Sequence, residues 1–225
     1  MEIKTTKNFG SNRLTALILG PSGSGKTTLA KTLPGKTLIV SMESGLLSLS
    51  GQDIDYIELR PNNHNAFTEL GTFLHGTDLS QYDNLYFDSL SEIATMCLSE
   101  AKQKFPDPSQ TFPRFGEYNE RMTKFIRFVR DMEKNTFFTS LVKVDRDDSG
   151  YRKHLPDIQG SISNKINAFL DFVFHIRIVQ KEESEIRMLQ TKADNNYDCK
   201  DRSGKLAPFE QMDLSLIYNK VFKGE

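Results

Sequence analysis

Short apolar runs alternate with amphipathic stretches along most of the chain. The runs have the length of buried strands, and the stretches between them repeat their apolar residues at helical spacing. The predicted strands cover residues 14–19, 37–42, 53–59, 84–88, 136–142, 172–179 and 186–191. The predicted helices cover residues 27–33, 46–49, 67–74, 89–104, 116–134, 161–170 and 213–222. This alternation predicts an α/β fold with a mostly parallel central sheet, helices on both faces and an antiparallel hairpin near the C-terminal end.

Two polar segments interrupt this pattern. Residues 105–114 contain Pro106 and Pro108 and are predicted to form a loop. Residues 143–160 are long for a connection, which marks them as either functional or disordered. The chain of 225 residues suits a single domain over residues 14–225, after a polar lead at residues 1–13.

Composition narrows the classes of function. The formal net charge of -1 gives no overall basic bias, so any nucleic-acid binding has to come from a local patch. Cys97 and Cys199 have neither the number nor the spacing of a disulfide framework or a metal site. The start has no apolar leader, and no run approaches the roughly 18 apolar residues of a membrane span. We therefore expect a soluble cytoplasmic protein with no membrane partner.

The most specific motif follows the first predicted strand. Residues 20–28 read Gly-Pro-Ser-Gly-Ser-Gly-Lys-Thr-Thr, which meets the pattern G-x-x-x-x-G-K-[ST] between a strand and a helix. Glycines let backbone N–H groups surround phosphate oxygens, the lysine reaches the β and γ phosphates, and the threonine hydroxyl binds Mg²⁺. The alternative is a Gly/Ser-rich turn with an incidental lysine. We call this segment the phosphate loop; its predicted contacts to ATP are Gly20, Pro21, Ser22, Gly23, Ser24, Gly25, Lys26, Thr27 and Thr28.

Polar residues end three of the predicted strands, where open α/β sheets bind their ligands. Asp88 suits a carboxylate that holds Mg²⁺ with Thr27, and its alternative role is to cap the next helix. Glu43 suits a base that orients the water attacking the γ-phosphate, and its alternative is a solvated carboxylate at a helix start. Lys143 follows the predicted strand at residues 136–142.

The order of these residues resembles the RecA-like ATPase core. The resemblance implies that Glu43 is catalytic and that Lys143 stands at a phosphate-sensor position, where RecA itself has glutamine. It also implies DNA-contacting loops at about residues 105–118 and 144–160.

Lys200-Asp201-Arg202 resembles the Lys-x-Arg motif of RadA and DnaB. If this segment is extended, Lys200 and Arg202 point the same way, because strand side chains alternate with period two. The resemblance implies that both cations reach the γ-phosphate of a neighbouring subunit, which requires a homo-oligomer, either ring or filament. The alternative is a solvated turn with ordinary surface charge.

A narrower resemblance covers nearly the whole chain beyond Arg13. Phe115-Gly116-Glu117-Tyr118 before a long helix, Leu155-Pro156 before Gly160, and Leu206-Ala207-Pro208 resemble phage RecA-like ATPases, including the single-strand annealing recombinases of the Sak-four group. The resemblance implies ATP-linked binding of single-stranded DNA and strand pairing in phage recombination, beside a single-strand binding protein in the host cytoplasm.

The two polar segments have a composition that single-stranded DNA requires, with cations for phosphates and aromatic rings for bases. Asp145, Asp147 and Asp148 lie among them and weaken the pattern. The candidate DNA contacts are Lys104, Phe105, Arg114, Phe115 and Tyr118 in the first segment, and Arg146, Tyr151, Arg152, Lys153 and His154 in the second.

Three other functions stay open at this point. A ring motor or helicase accessory would use the same core to translocate DNA. A small-molecule kinase would need an arginine-rich lid, for which residues 146–153 are poorly suited because of their aspartates. A nucleotide-gated structural protein would bind ATP with little hydrolysis.

Overall fold

Every residue is buried in four of the strands, Thr15–Leu19, Thr37–Ser41, Asn84–Asp88 and Asn135–Ser140, as expected for strands that are covered on both faces. The computed structural model describes residues 13–43, 45–60, 64–146, 150–181 and 184–224. The strands are β1 (Thr15–Leu19), β2 (Thr37–Ser41), β3 (Asp55–Glu58), β4 (Asn84–Asp88), β5 (Asn135–Ser140), β6 (Val142–Arg146), β7 (Arg152–Pro156), β8 (Phe172–Lys181), β9 (Ser184–Gln190), β10 (Lys200–Asp201) and β11 (Phe209–Gln211).

The helices lie between these strands, as the alternating pattern predicts. Most are α-helices, but the segment that follows the phosphate loop is a 3-10 helix. The α-helices are α1 (Ala66–Gly76), α2 (Leu90–Lys104), α3 (Thr111–Asp131), α4 (Ile162–Phe169) and α5 (Leu214–Tyr218). The 3-10 helices are Thr27–Thr32, Leu46–Leu49 and Pro108–Gln110, and a π-helical turn covers Asn219–Lys223. In the described part of the chain, no helix has both the length and the apolar character that crossing a bilayer requires.

The central sheet is mixed but mostly parallel. Within the described residues its strand order is β11-β9-β8-β1-β5-β4-β2-β3, with β10 paired to β8. The strands from β8 to β3 in this order run parallel, whereas β9, β10 and β11 pair antiparallel. The predicted fold class and the predicted antiparallel hairpin, β8–β9, are therefore confirmed.

Separate hydrophobic cores lie on the two faces of the sheet. One contains buried residues of α1 to α4, such as Leu70, Ile93 and Ile166. The other contains residues of the first 3-10 helix and of α5, such as Leu29 and Ile217. Helices thus cover both faces, and the parallel strands between them align their carboxyl ends at one edge of the sheet.

The predicted loop at residues 105–114 is wrong in part, because α3 begins at Thr111 rather than near residue 116. Asp107 and Gln110 form a capping box around the preceding 3-10 turn: the Asp107 carboxylate accepts from Ser109 N at 2.8 Å, and Gln110 Oε1 accepts from Asp107 N at 3.3 Å. Pro113 lies in the first turn of α3, where a missing N–H is tolerated.

The long segment at residues 143–160 contains a separate antiparallel ribbon. Strands β6 and β7 pair with each other, from Val142 opposite Pro156 to Arg146 opposite Arg152. Lys143 therefore does not end the sensor strand as predicted, because β5 ends at Ser140 and Lys143 lies within β6. Asp147 and Asp148 lie outside the described residues.

Candidate functional site

The phosphate loop begins where β1 ends, at the carboxyl edge of the sheet. Gly20 N donates to the carbonyl oxygen of Ser140 at 3.2 Å, which fixes the loop to the end of β5. Gly25 has φ +97°, a conformation that side-chain-bearing residues rarely adopt, so the turn favours glycine at this position. The 3-10 helix begins directly afterwards at Thr27, whereas Pro21, Ser22 and Gly23 form an exposed rim.

Lys26 is buried beneath this loop with only 7% of its surface exposed. Its Nζ donates to the carbonyl oxygens of Gly20 and Pro21, both at 3.0 Å. Burial lowers the pKa of Lys26, while the negative charges of Asp88 and Glu43 oppose that shift. The lysine and both predicted carboxylates are therefore close enough to interact electrostatically.

Asp88 lies directly beside the loop. Its Oδ2 accepts a hydrogen bond from Thr27 Oγ1 at 2.5 Å, and its Oδ1 accepts one from Thr139 Oγ1. The carboxylate is 3% exposed and receives hydroxyl donors, while the N-cap of α2 is Ser89. The alternative in which Asp88 caps α2 is therefore wrong. The hydrogen bond places Asp88 beside Thr27, and their joint role in holding Mg²⁺ stays a prediction.

Glu43 lies on the same edge of the sheet, after β2. Its Oε1 accepts a hydrogen bond from Ser89 Oγ at 2.6 Å, and the residue is half-buried. Burial, together with the charge of Glu43, raises the pKa of Glu92 in the first turn of α2. Glu43 is thus held by the residue next to Asp88 instead of extending freely into solvent.

The residues at this edge fit a magnesium nucleotide. Ser24 Oγ is buried and has no hydrogen-bond partner, so a polar group of the loop is available for a phosphate oxygen. A Cβ on Gly20 would come within 2.6 Å of that oxygen, so glycine keeps this space open. Thr27 and Asp88 supply hard oxygen ligands, and Mg²⁺ completes its coordination with phosphate and water. The described residues contain no cluster of three or more His, Cys, Asp or Glu side chains that could hold a metal ion by themselves.

Lys143 does not join this group through the end of β5. Its Nζ donates to the carbonyl oxygen of Ile158 at 2.8 Å, which ties β6 to the segment after β7. The end of β5 instead carries Thr139 and Ser140, and Thr139 bonds to Asp88. A sensor role for Lys143 stays a prediction.

Lys200 and Arg202 lie at the opposite edge of the sheet. Lys200 pairs with Val173 near the start of β8, and its Nζ donates to the carbonyl oxygens of Asn167 and Leu170 at 2.9 and 2.6 Å. Arg202 Nη1 donates to Asp171 Oδ1 at 2.5 Å. Both cations therefore contact the segment at residues 167–171, although β10 ends at Asp201 and does not include Arg202. Their role at a neighbouring subunit stays a prediction. Arg202 N also donates to the carbonyl oxygen of Asp171, whose own N donates to Thr15, so Arg202 is level with the start of β1. The five residue steps from Thr15 to Gly20, at about 3.3 Å each, place it about 16 Å from the phosphate loop along the strand direction.

The first predicted DNA segment is more ordered than expected. Tyr118 is fully buried, so its predicted role in base stacking is wrong. The Arg114 guanidinium donates to the carbonyl oxygens of Phe105 and Asp107, and Phe115 packs against the core. Lys104 remains 57% exposed while pairing with Glu117.

The β6–β7 hairpin presents the second predicted DNA segment. Arg146 and Arg152 are exposed, whereas Lys153 is half-buried and lies 3.5 Å from Asp198. His154 stacks on Tyr197 with ring centroids 4.1 Å apart, which accounts for this histidine by packing.

Several residues at these sites have no signal in the sequence pattern. Arg187 Nη1 donates to the carbonyl oxygen of Gly23 at 3.1 Å, a contact that depends on the register of a hairpin. Phe112, which is 91% exposed, lies in the first turn of α3 close to the candidate DNA residues. Thr139 likewise has little signal, since β5 also contains the polar residues Asn135, Thr136 and Ser140.

A parallel sheet with a phosphate loop after its first strand, a lysine in that loop and a threonine–aspartate pair beside it defines a P-loop nucleotide-binding domain. The sequence matches the AAA domain family, AAA_24, over residues 12–203. The chain therefore belongs to this family of ATPase-like domains. No curated protein matches the chain.

Proposed function

We propose that this protein is an ATP-hydrolysing RecA-like protein that binds single-stranded DNA and promotes annealing or strand pairing in phage homologous recombination. The observation that carries the ATPase part is the Thr27–Asp88 hydrogen bond of 2.5 Å beside the buried Lys26. A phosphate loop alone would support nucleotide binding. The adjoining carboxylates Asp88 and Glu43 support hydrolysis as well.

The residues have separable tasks in this reaction. Bound magnesium would neutralise charge on the phosphates, and Thr27 and Asp88 are the residues to hold it. Lys26 supplies a cation for the β and γ phosphates. Glu43 orients the attacking water and accepts its proton, while Ser89 fixes the carboxylate through the 2.6 Å hydrogen bond.

Proximity of the two polar segments supports a single DNA-binding surface. A Cβ on Gly160 would lie 2.8 Å from Asn119 Oδ1 and 3.2 Å from Tyr118 Cε1, so the segment after the β6–β7 hairpin packs closely on α3. Exposed Arg146 and Arg152 on the hairpin would contact phosphates, and aromatic side chains nearby would stack with bases. The exposed side chains proposed to contribute are Lys104 and Phe112 on the helical side and Val144, Arg146, Tyr151 and Arg152 on the hairpin.

A RecA-like ring motor is the second candidate. Arg202 is level with the start of β1, about 16 Å from the phosphate loop of its own subunit, and the Lys200 amine is held at the neighbouring Leu170, so a role at a γ-phosphate would require a neighbouring subunit. This supports a homo-oligomer, either ring or filament, for both candidates. A motor would couple hydrolysis to translocation, whereas an annealing protein would pair complementary strands beside a single-strand binding protein.

One experiment separates these functions. Annealing of complementary oligonucleotides and ATP hydrolysis are measured together, with and without single-stranded DNA and a single-strand binding protein. We expect pairing that accelerates with ATP, and hydrolysis that DNA stimulates. Unwinding of a tailed duplex without any acceleration of annealing would favour the motor, and ATP hydrolysis without DNA binding would contradict both.

The DNA surface has its own test. Removing two phosphate contacts by Arg146→Ala with Arg152→Ala should reduce the salt dependence of single-strand affinity by about 1.4 in log–log slope. Arg130→Ala serves as the control, because Arg130 pairs with Asp131 at the end of α3. If the affinity of the double variant depends on salt as steeply as that of the unmodified protein, these two arginines do not contact the DNA.

A further inference from the structure

The β8–β9 hairpin extends beyond the end of β1, next to the phosphate loop. His175 of β8 pairs with Leu19, the last residue of β1, and Arg187 of β9 pairs with Ile178, three residues further along β8. At about 3.3 Å per residue, Arg187 lies about 10 Å past the end of β1, at the level of the loop. The hairpin thus brings a cation to the site from a part of the chain with no nucleotide-binding motif.

The Arg187 guanidinium lies over the rim of the loop. Its Nη1 donates to the carbonyl oxygen of Gly23 at 3.1 Å and would lie 3.7 Å from a Cβ on Gly25. Its Nε and Nη2 lie 3.0 and 2.9 Å from Glu185 Oε1, so a carboxylate of the same strand orients the group. The side chains of Arg187 and Glu185 are each 44% exposed, and their ion pair contributes little by itself.

The contact between Arg187 and Gly23 meets a hydrogen-bonding requirement of the phosphate loop. When backbone amides point inward at phosphates, the carbonyls of the same peptides point outward and need donors of their own. A charged donor makes a stronger hydrogen bond than a neutral one, so Arg187 holds the outward carbonyl of Gly23 firmly. Its positive charge also lies beside Gly25, the residue before Lys26.

We propose that Arg187 is a positioning residue of the nucleotide site that acts within its own subunit. It holds the phosphate loop open through Gly23 and adds a second positive charge, beside that of Lys26, for the polyphosphate of a magnesium nucleoside triphosphate. The inference rests on the proposed nucleotide-binding function. Because the contact is to the loop, it strengthens binding of the phosphate chain whatever the base.

Three substitutions at this position separate charge from hydrogen bonding. Arg187→Ala removes both, Arg187→Gln keeps a neutral donor, and Arg187→Lys keeps the charge. Affinities for MgATP and for magnesium tripolyphosphate are measured by titration calorimetry at 50 and 300 mM salt. We expect about a tenfold loss for both ligands in Arg187→Ala and Arg187→Gln, a loss below about threefold in Arg187→Lys, and weaker salt dependence in the two uncharged variants.

The controls make each outcome decisive. Arg130→Ala removes an arginine paired to Asp131 at the end of α3, and should bind both ligands as the unmodified protein does. Thermal melting without ligand checks folding, and Arg187→Lys and Arg187→Gln carry the test if Arg187→Ala unfolds. Unchanged affinity in Arg187→Gln or Arg187→Ala overturns the inference while leaving ATP binding intact. Failure of the unmodified protein to bind MgATP overturns the proposed function itself.

Discussion

The hydroxyl of Thr27 donates a hydrogen bond of 2.5 Å to the carboxylate of Asp88, 61 residues further along the chain. One residue comes from the phosphate loop and the other from the end of β4, and β5 lies between β1 and β4 in the sheet. Thr139 of β5 donates to the second oxygen of the same carboxylate. The two predicted magnesium ligands are therefore already side by side and oriented by the strand between them.

Asp88→Asn should weaken MgATP binding at least tenfold. The amide is the same size but lacks the negative charge that a divalent cation needs, and its NH₂ group cannot accept from a hydroxyl. Binding of ATP in EDTA should change far less. Equilibrium titration with and without Mg²⁺ measures both, and Asp53→Asn, at an exposed carboxylate, is the control. An equal loss in the two conditions would contradict a magnesium role.

Glu43→Gln should slow ATP turnover strongly while leaving ATP affinity within about threefold. Glutamine Oε1 still accepts the hydrogen bond from Ser89, so the position of the side chain is kept while its basicity is lost. Rates under single-turnover conditions report the chemical step directly. We expect a decrease of at least a hundredfold, as for the loss of a general base.

The control for this substitution is Glu120→Gln, which neutralises an exposed carboxylate paired with Lys124 on α3. It should hydrolyse ATP at the unmodified rate. Substantial turnover in Glu43→Gln would mean that another group activates the water. Glu43 would then act only through its charge, close to Lys26.

The sequence predicts the central part of the fold well because burial on both faces leaves a strong signal. The fully buried strands β1 and β4 contain apolar runs at residues 16–19 and 85–87, and Asp88 at the end of β4 marks the binding edge. The β6–β7 hairpin has no such signal, since a two-stranded ribbon outside the main sheet does not require apolar residues along one face. The sequence pattern therefore predicts a connection for these residues.

The start of α3 shows a different limitation. Pro106, Pro108 and Pro113 favour a loop by composition, yet prolines are acceptable before a helix and in its first turn. The spacing of Asp107 and Gln110 was the available signal for a helix start. At the site, local motifs identify Lys26, Thr27 and Asp88, whereas Arg187 depends on hairpin register, which one sequence does not specify.

Arg202→Ala should leave ATP affinity unchanged and reduce turnover. The residue lies at the opposite edge of the sheet from its own phosphate loop, so any contact with a γ-phosphate has to occur across a subunit interface. A mixture of Arg202→Ala and Glu43→Gln subunits should recover part of the activity, because some interfaces then combine an intact Arg202 with an intact Glu43. Hydrolysis is measured over a range of mixing ratios.

Two results would contradict this arrangement. If ATP hydrolysis does not recover at any mixing ratio, Arg202 acts only within its own subunit, through its ion pair with Asp171. Turnover that is independent of protein concentration, in a protein that sediments as a monomer, would remove the need for a neighbouring subunit. Arg130→Ala again serves as a matched arginine control.

His175 should make the protein sensitive to acid. The side chain is 1% exposed, its Nε2 has no partner, and burial, with the charges of His154 and Arg177, lowers its pKa from 6.5 to about 3. Between these values the unfolded chain binds a proton that the folded protein does not, so stability falls as the pH falls, by about 1.4 kcal/mol per unit below 6.5. His175→Asn should flatten this dependence in urea denaturation between pH 7 and 4.5, whereas His75→Asn, at an exposed site, should not. Parallel curves for His175→Asn and the unmodified protein would show that His175 is protonated in the folded state.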